Sequence, residues 1–207
     1  MSETNHNRLL GAVALLLLIA GAAGSLWYTQ WRQPERVLDS STVECATVLA
    51  EQTSALLQRH GRVVVLSRDP QRCPGAKADL DNFRQTLKQL GSVTVAATEF
   101  FTEAQLPSPI TMPGALYVDA AERNHDADAI VSFVGVPELT SAELRRAKVA
   151  GPKMVVLSPA AVDAAPLFEQ GVLHVLIVPR MRPAGDAHKL KTARERFDHY
   201  YQVMTAH

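Results

Sequence analysis

The feature that most restricts the fold of this chain is a regular alternation between short β-branched runs and amphipathic segments. Continuous apolar runs such as Arg62–Ser67 are typical of strands buried on both faces of a sheet. Parallel strands need crossover connections, so runs separated by helical segments predict a parallel sheet covered by helices. The five predicted strands are Arg62–Ser67, Ser92–Thr98, Ala129–Val134, Lys153–Leu157 and Val172–Val178.

These patterns predict an α/β fold, a three-layer sandwich whose five-stranded parallel sheet has the order 2-1-3-4-5 by analogy with other doubly wound domains. Ser41–Glu44 has the spacing of a capping box at a helix start. The predicted helices are Ser41–His60, Ala76–Leu90, Ala115–Arg123, Ser141–Ala150, Ala160–Gln170 and Ala187–Thr205.

An uncharged apolar run extends from Leu9 to Trp27. At about 1.5 Å per residue a helix over it measures about 28 Å, close to the thickness of a bilayer's hydrocarbon core. Trp27, Tyr28 and Trp31 at its end are typical interfacial aromatics, which favour a retained anchor over a signal peptide cut near Ala20–Ala22. The sequence therefore predicts a transmembrane helix before the α/β domain.

We expect a short tail over residues 1–8, a transmembrane signal anchor over 9–28, a linker over 29–38 and one α/β domain over 39–207. Arg8 precedes the run, while Arg32 and Arg36 follow it, so the positive-inside rule does not decide the orientation. The working hypothesis is a single-pass protein of the cell membrane, held in lipid by residues 9–28, with its domain on the periplasmic or extracellular side.

The charge balance restricts the class of partner. Lys plus Arg equal Asp plus Glu at 21 each, and the formal net charge is zero. Nucleic-acid binding needs clustered positive charge, so we expect no nucleic-acid partner.

Two cysteines, Cys45 and Cys73, leave two alternatives open. In an oxidising compartment a bridge between them would contribute about 3 kcal/mol in the chain-entropy model. Otherwise one is a buried helix thiol and the other a loop thiol.

Candidate binding residues follow the predicted strands. In an open parallel sheet, ligands bind beyond the carboxyl ends of the strands, where the strand order reverses. The predicted rim consists of Ser67, Arg68, Asp69, Gly135, Glu138 and Ser158. The rim suits a small polar ligand or a partner's backbone, and Arg68 suits a carboxylate or phosphate. The alternative roles are turn closure for the serines and a solvated surface pair for Arg68 and Asp69.

Motifs that would indicate an enzyme, a metal or a cofactor are missing from the sequence, which holds no Gly-rich dinucleotide turn, P-loop, nucleophile elbow or metal-ligand pair. His125, Asp126 and Asp128 cluster before a strand, but no second cluster completes a metal site. His174 lies in an apolar strand and is interpreted as a core residue. We expect no enzyme activity, cofactor or metal. A hydrolase that uses Ser67 or Ser158 would need the fold to bring a histidine next to the serine, because none is near either serine in the sequence.

The strand–helix register from Arg62 to Arg180 resembles one lobe of a type 1 periplasmic binding protein or a related flavodoxin-like domain. The run Asp126–Gly135 is the part most similar to such lobes. Those receptors enclose their ligand between two lobes, and this chain has residues for one. The resemblance therefore implies that tight capture of a small molecule needs a dimer or a partner subunit.

Together these features predict a membrane-anchored extracytoplasmic binding or accessory module of a membrane-associated assembly, non-enzymatic, acting with a protein partner or as a homo-oligomer. The alternative is a small-molecule sensor or transport-linked substrate-binding lobe that acts as a dimer or with a partner.

Overall fold

The structure, a computed structural model, describes residues 35–183 and 190–206, with side chains from Glu44 onward. The chain divides into two compact units, Met1–Asp39 and Ser40–His207. The helices are α1 (Glu35–Leu56), α2 (Pro74–Leu90), α3 (Gly114–Arg123), α4 (Ser141–Ala150), α5 (Ala165–Glu169) and α6 (Ala193–Tyr200). The strands are β1 (His60–Arg68), β2 (Ser92–Phe101), β3 (Thr111–Pro113), β4 (Ala129–Ser132), β5 (Val136–Glu138), β6 (Lys153–Leu157), β7 (Leu173–Pro179) and β8 (Tyr201–Thr205).

The fold is mixed α/β with a central, mostly parallel sheet, in the order β2-β1-β4-β6-β7-β8. The strands from β2 to β7 in that order are parallel, and β8 pairs antiparallel with β7. The five predicted strands lie in the predicted order, 2-1-3-4-5, but the prediction of five strands is wrong, because the C-terminal segment adds the antiparallel edge strand β8. A second, two-stranded sheet joins β3 and β5 in parallel, and neither strand is among the five predicted ones.

The core lies on both faces of the main sheet, as alternation along its strands requires. Val63 and Val65 of β1 belong to the apolar cluster that also contains buried residues of α1, α2 and α6. Val64 and Leu66 belong to the cluster formed with α3 and α4. Because both faces of β1 are covered, its sequence is a continuous apolar run.

Three predicted helices differ from the structure by more than two residues at an end. The first begins at Glu35, so Ser41 lies inside α1 and the predicted capping-box position is wrong. The fifth is only Ala165–Glu169, with Pro166 in its first turn. The last predicted helix is wrong over Tyr201–Thr205, which is strand β8, and residues 184–189 lie outside the described part of the chain.

Among the helices that the structure describes, none has both the length and the apolar character that crossing a bilayer requires. The predicted span, residues 9–28, lies outside the described residues.

Candidate functional site

Three buried serines lie at the carboxyl ends of β1, β4 and β6, and each hydroxyl closes its own loop. Ser67 Oγ donates to the Arg68 carbonyl at 3.2 Å. Ser132 Oγ donates to the Gly135 carbonyl at 2.8 Å, and Ser158 Oγ donates to the Ala160 carbonyl at 2.8 Å. Each hydroxyl therefore donates to a carbonyl of its own loop, which agrees with the alternative role of the serines in turn closure and not with a role in ligand binding.

A cavity of about 200 Å³ lies at the carboxyl ends of β1 and β2. Arg68 is the last residue of β1 and pairs in register with Phe101, the last residue of β2. The loops that follow both strands complete the wall. The cavity is lined by Arg68, Asp69, Arg72, Cys73, Phe101, Thr102 and Glu103.

The loop after β1 fixes the Asp69 carboxylate at the cavity wall. The Asp69 N–H donates to the Phe101 carbonyl at 3.2 Å, which ties the loop to β2. The Asp69 carbonyl accepts from the N–H groups of Arg72 and Cys73 at 3.1 and 2.9 Å. Asp69 Oδ1 accepts from the Gln71 N–H at 2.9 Å, as in an Asx turn. The carboxylate is therefore held in place before any ligand arrives.

The structure brings together only part of the predicted rim. Arg68 and Asp69 line the cavity. Gly135 is buried in the loop between β4 and β5, and Glu138 is exposed at the end of β5, so neither belongs to the cavity wall.

The predicted rim lacks the cavity residues that follow β2, Thr102 and Glu103, because β2 extends past the predicted end at Thr98 to Phe101. The carboxyl ends of parallel strands lie at the same edge of a sheet. A second predicted strand that continued to Phe101 would therefore have placed Thr102 and Glu103 beside Arg68.

The two cysteines are free thiols in different surroundings. Cys45 is buried in α1, and burial raises the pKa of its thiol to about 12. Cys73 is half-buried, precedes the first turn of α2 and lines the cavity.

The His125–Asp128 cluster forms a structural contact with β1. Asp126 Oδ2 accepts from Arg62 Nη1 at 2.7 Å, and this hydrogen bond holds the pKa of the Asp126 carboxyl below its ordinary value. Asp128 Oδ2 accepts from the Arg62 N–H at 2.7 Å. Within the described residues, no group of three His, Cys, Asp or Glu side chains is placed to hold a metal ion.

His174 in β7 is half-buried, and burial lowers the pKa of its imidazole. Its Nδ1 lies 3.3 Å from the Met154 N–H of the neighbouring strand β6. It therefore contributes to the strand contact rather than to the cavity.

No known sequence family and no curated protein matches the chain. Among solved structures, the XylFII molecule superimposes with a TM-score of 0.53 at 12% identity, over 80% of this chain and 61% of that one. AraP, an arabinose binding protein from Geobacillus stearothermophilus, gives 0.49 at 15% identity over 66% of this chain and 45% of that one.

The fructose binding periplasmic domain of the hybrid two component system BT1754 gives a TM-score of 0.47 at 15% identity, over 67% of this chain and 45% of that one. The chain thus spans about half the length of the solved proteins it matches. At these identities the likeness concerns the fold alone. The predicted resemblance to one lobe of a type 1 periplasmic binding protein is confirmed at that level.

Proposed function

We propose that the domain is a non-enzymatic, extracytoplasmic solute-binding lobe, anchored in the cell membrane through residues 9–28, which completes its site with a second copy or a partner protein. The observation that carries this proposal is the cavity between the ends of β1 and β2, lined by Arg68, Asp69 and the loop after β2. The cavity lies at the carboxyl ends of the parallel strands, where open sheets bind ligands, and it is one strand away from the switch point between β1 and β4.

The size of the cavity supports a shared site. Small-molecule pockets usually measure about 300–1,000 Å³ and bury most of the ligand surface. The cavity here measures about 200 Å³, so one lobe encloses a small ligand only in part. A second surface facing the strand ends would supply the remaining contacts.

Non-enzymatic binding is supported by the state of the strand-end hydroxyls. A serine nucleophile needs its hydroxyl proton directed at a base. Ser67 and Ser158 instead donate that proton to backbone carbonyls. The solved structures of similar fold also include proteins named for arabinose and fructose binding.

A second candidate function, as an accessory subunit that contacts another protein, is favoured by one side chain. Phe100 lies next to the cavity-lining Phe101 and is 48% exposed. It belongs to β2, which is at an edge of the sheet. An exposed aromatic on an edge strand is suited to a protein contact.

Thermal unfolding of the full chain in mild detergent, with and without members of a small-solute panel, tests the proposal. A solute at a hundred times its Kd should stabilise the domain by about 2.7 kcal/mol, seen as a rise in Tm. Arg68→Ala should abolish this rise. Arg145→Ala is the control, because Arg145 is an exposed arginine of α4 that lines a different cavity, together with Glu122 and His125. A panel without any stabilising solute would reject the binding function.

Two further measurements on the same preparation test the remaining parts of the proposal. The intact mass of the membrane-fraction protein should include residues 9–28. A mature chain that begins beyond Ala22 would reject the anchor. Co-purification should give a dimer or a defined partner, and a lone monomer would contradict the shared site and the accessory role.

A further inference from the structure

The cavity between β1 and β2 is lined by four charged side chains, two of each sign: Arg68, Arg72, Asp69 and Glu103. Within the described residues, none of the four side chains forms an ion pair with another. Surface charges elsewhere in the domain do pair: Arg62 Nη1 lies 2.7 Å from Asp126 Oδ2.

These charges surround a partly apolar space, and the carboxylate of Asp69 has a fixed position in its wall. Phe101 is buried and belongs to the core cluster beneath the cavity. The register of β1 with β2 fixes the backbone of Arg68, and the hydrogen bond from the Gln71 N–H fixes the carboxylate of Asp69. Arg72 and Glu103 are exposed at the outer wall.

A ligand that carries one charge of each sign would satisfy such a wall. A guanidinium binds a carboxylate through two parallel N–H···O bonds, and a carboxylate accepts N–H bonds from an ammonium group. A neutral solute would remove water from the half-buried Arg68 and Asp69 and neutralise neither charge, which costs binding free energy.

We infer that this cavity binds a zwitterionic solute of the α-amino acid type, with its carboxylate on Arg68 and Arg72 and its ammonium group on Asp69 and Glu103. This inference rests on the proposed solute-binding function and names the class of solute. It assigns opposite roles to two neighbouring residues at the end of β1.

Isothermal titration of the full chain in mild detergent tests the inference, with the standard L-amino acids added one at a time and D-arabinose as the neutral solute. The amino acid that binds best is then compared with its carboxamide, which lacks the anion, and with its α-hydroxy acid, which lacks the cation. We expect each analogue to bind at least about tenfold more weakly, since each loses a charge-assisted contact.

Arg68→Gln and Asp69→Asn should each weaken binding of that amino acid by at least about tenfold. The asparagine retains an oxygen for the Gln71 N–H, so the turn is kept. Arg145→Gln is the matched control and should bind as the unmodified chain does.

Binding of D-arabinose without binding of any amino acid would overturn the inference and leave the proposed function standing. An amino acid whose affinity is unchanged by both variants, or matched by both analogues, would also overturn it. Absence of binding by the amino acids, by D-arabinose and by the whole small-solute panel of the thermal test would reject the proposed function itself.

Discussion

Gly135, in the loop that joins β4 to β5, should not tolerate a side chain. Its φ is +93°, and a Cβ built on it would lie 1.9 Å from the Ile110 carbonyl oxygen. An L-residue at such a φ costs about 1–2 kcal/mol, and displacement of a packed backbone costs about 1–3 kcal/mol more. We predict that Gly135→Ala lowers the free energy of unfolding by about 2–5 kcal/mol.

Three other glycines separate these two contributions. Gly75 has neither a positive φ nor an atom within 4 Å of its built Cβ, so its alanine variant should be neutral or slightly stabilising. Gly151 has a φ of +89° and nothing within 4 Å, so it reports the backbone strain alone. Gly114 has a built Cβ 2.3 Å from the Glu138 carbonyl oxygen without a positive φ, so it reports the contact alone.

Urea and thermal unfolding of the four alanine variants measure the series. For a domain of this size each kcal/mol shifts Tm by about 2–4 °C, so Gly135→Ala should lower Tm by about 4–20 °C. The expected order of stability places the variant of Gly75 first, those of Gly151 and Gly114 between, and that of Gly135 last. If Gly135→Ala matched Gly151→Ala within about 0.5 kcal/mol, the reasoning from the Ile110 contact would be refuted.

Three further predictions concern groups that folding buries fully or in part. Arg196→Met leaves the carboxylate of Glu44, which is 6% exposed, without its 2.6 Å hydrogen bond from Arg196 Nε, and should lower the free energy of unfolding in urea by about 3 kcal/mol. The double variant Glu44→Met/Arg196→Met should recover part of this free energy. If it recovered none, the loss would not come from the unpaired charge of Glu44. Burial raises the pKa of the Cys45 thiol from 9.0 to about 12, so the stability that this group contributes is complete below pH 9 and falls by about 1.4 kcal/mol per pH unit above it. Cys45→Ala should remove that slope in a pH series of urea unfolding. Iodoacetamide at pH 8 should label Cys73 first, whereas a chain with no free thiol would show that the two cysteines are bridged. Burial lowers the pKa of His174 below 6.5, so the stability that this group contributes should be constant above pH 6.5 and fall as the pH drops from there through its folded-state pKa. His174→Gln should flatten this part of the stability-versus-pH profile. An unchanged profile would assign the acid sensitivity to other groups.

The parallel sheet could be predicted because its strands are recognisable without tertiary information. A strand buried on both faces must be a continuous apolar run, and the predicted segments Arg62–Ser67 and Lys153–Leu157 lie within β1 and β6. Helix α4 has the predicted bounds, and its capping box, with Thr140 and Glu143, is local in sequence.

The errors arose where distant contacts decide the structure. Tyr201 and Met204 fit the apolar spacing of a helix, but the open edge of β7 offers backbone partners that turn this segment into β8. Glu44 fits a capping box, yet it is buried against Arg196, far away in the sequence. No local pattern contains either partner.

The candidate site could be predicted where its residues directly follow a recognisable strand, and not where they depend on strand register. Arg68 and Asp69 directly follow an evident strand, and both line the cavity. The contribution of Thr102 and Glu103 depends on the register of β2 with β1, which places Phe101 beside Arg68. That register includes an irregularity between Val63 and Val64, which the sequence alone does not reveal.

The short antiparallel strand β8 also determines how the domain meets other chains. It occupies the outer hydrogen-bonding groups of β7, whose residues Leu173–Pro179 are almost entirely apolar. A protein cut before Tyr201 would present β7 as a bare template on which foreign strands could polymerise. Loss of the segment that follows such a cut would thus expose an aggregation-prone edge of the sheet.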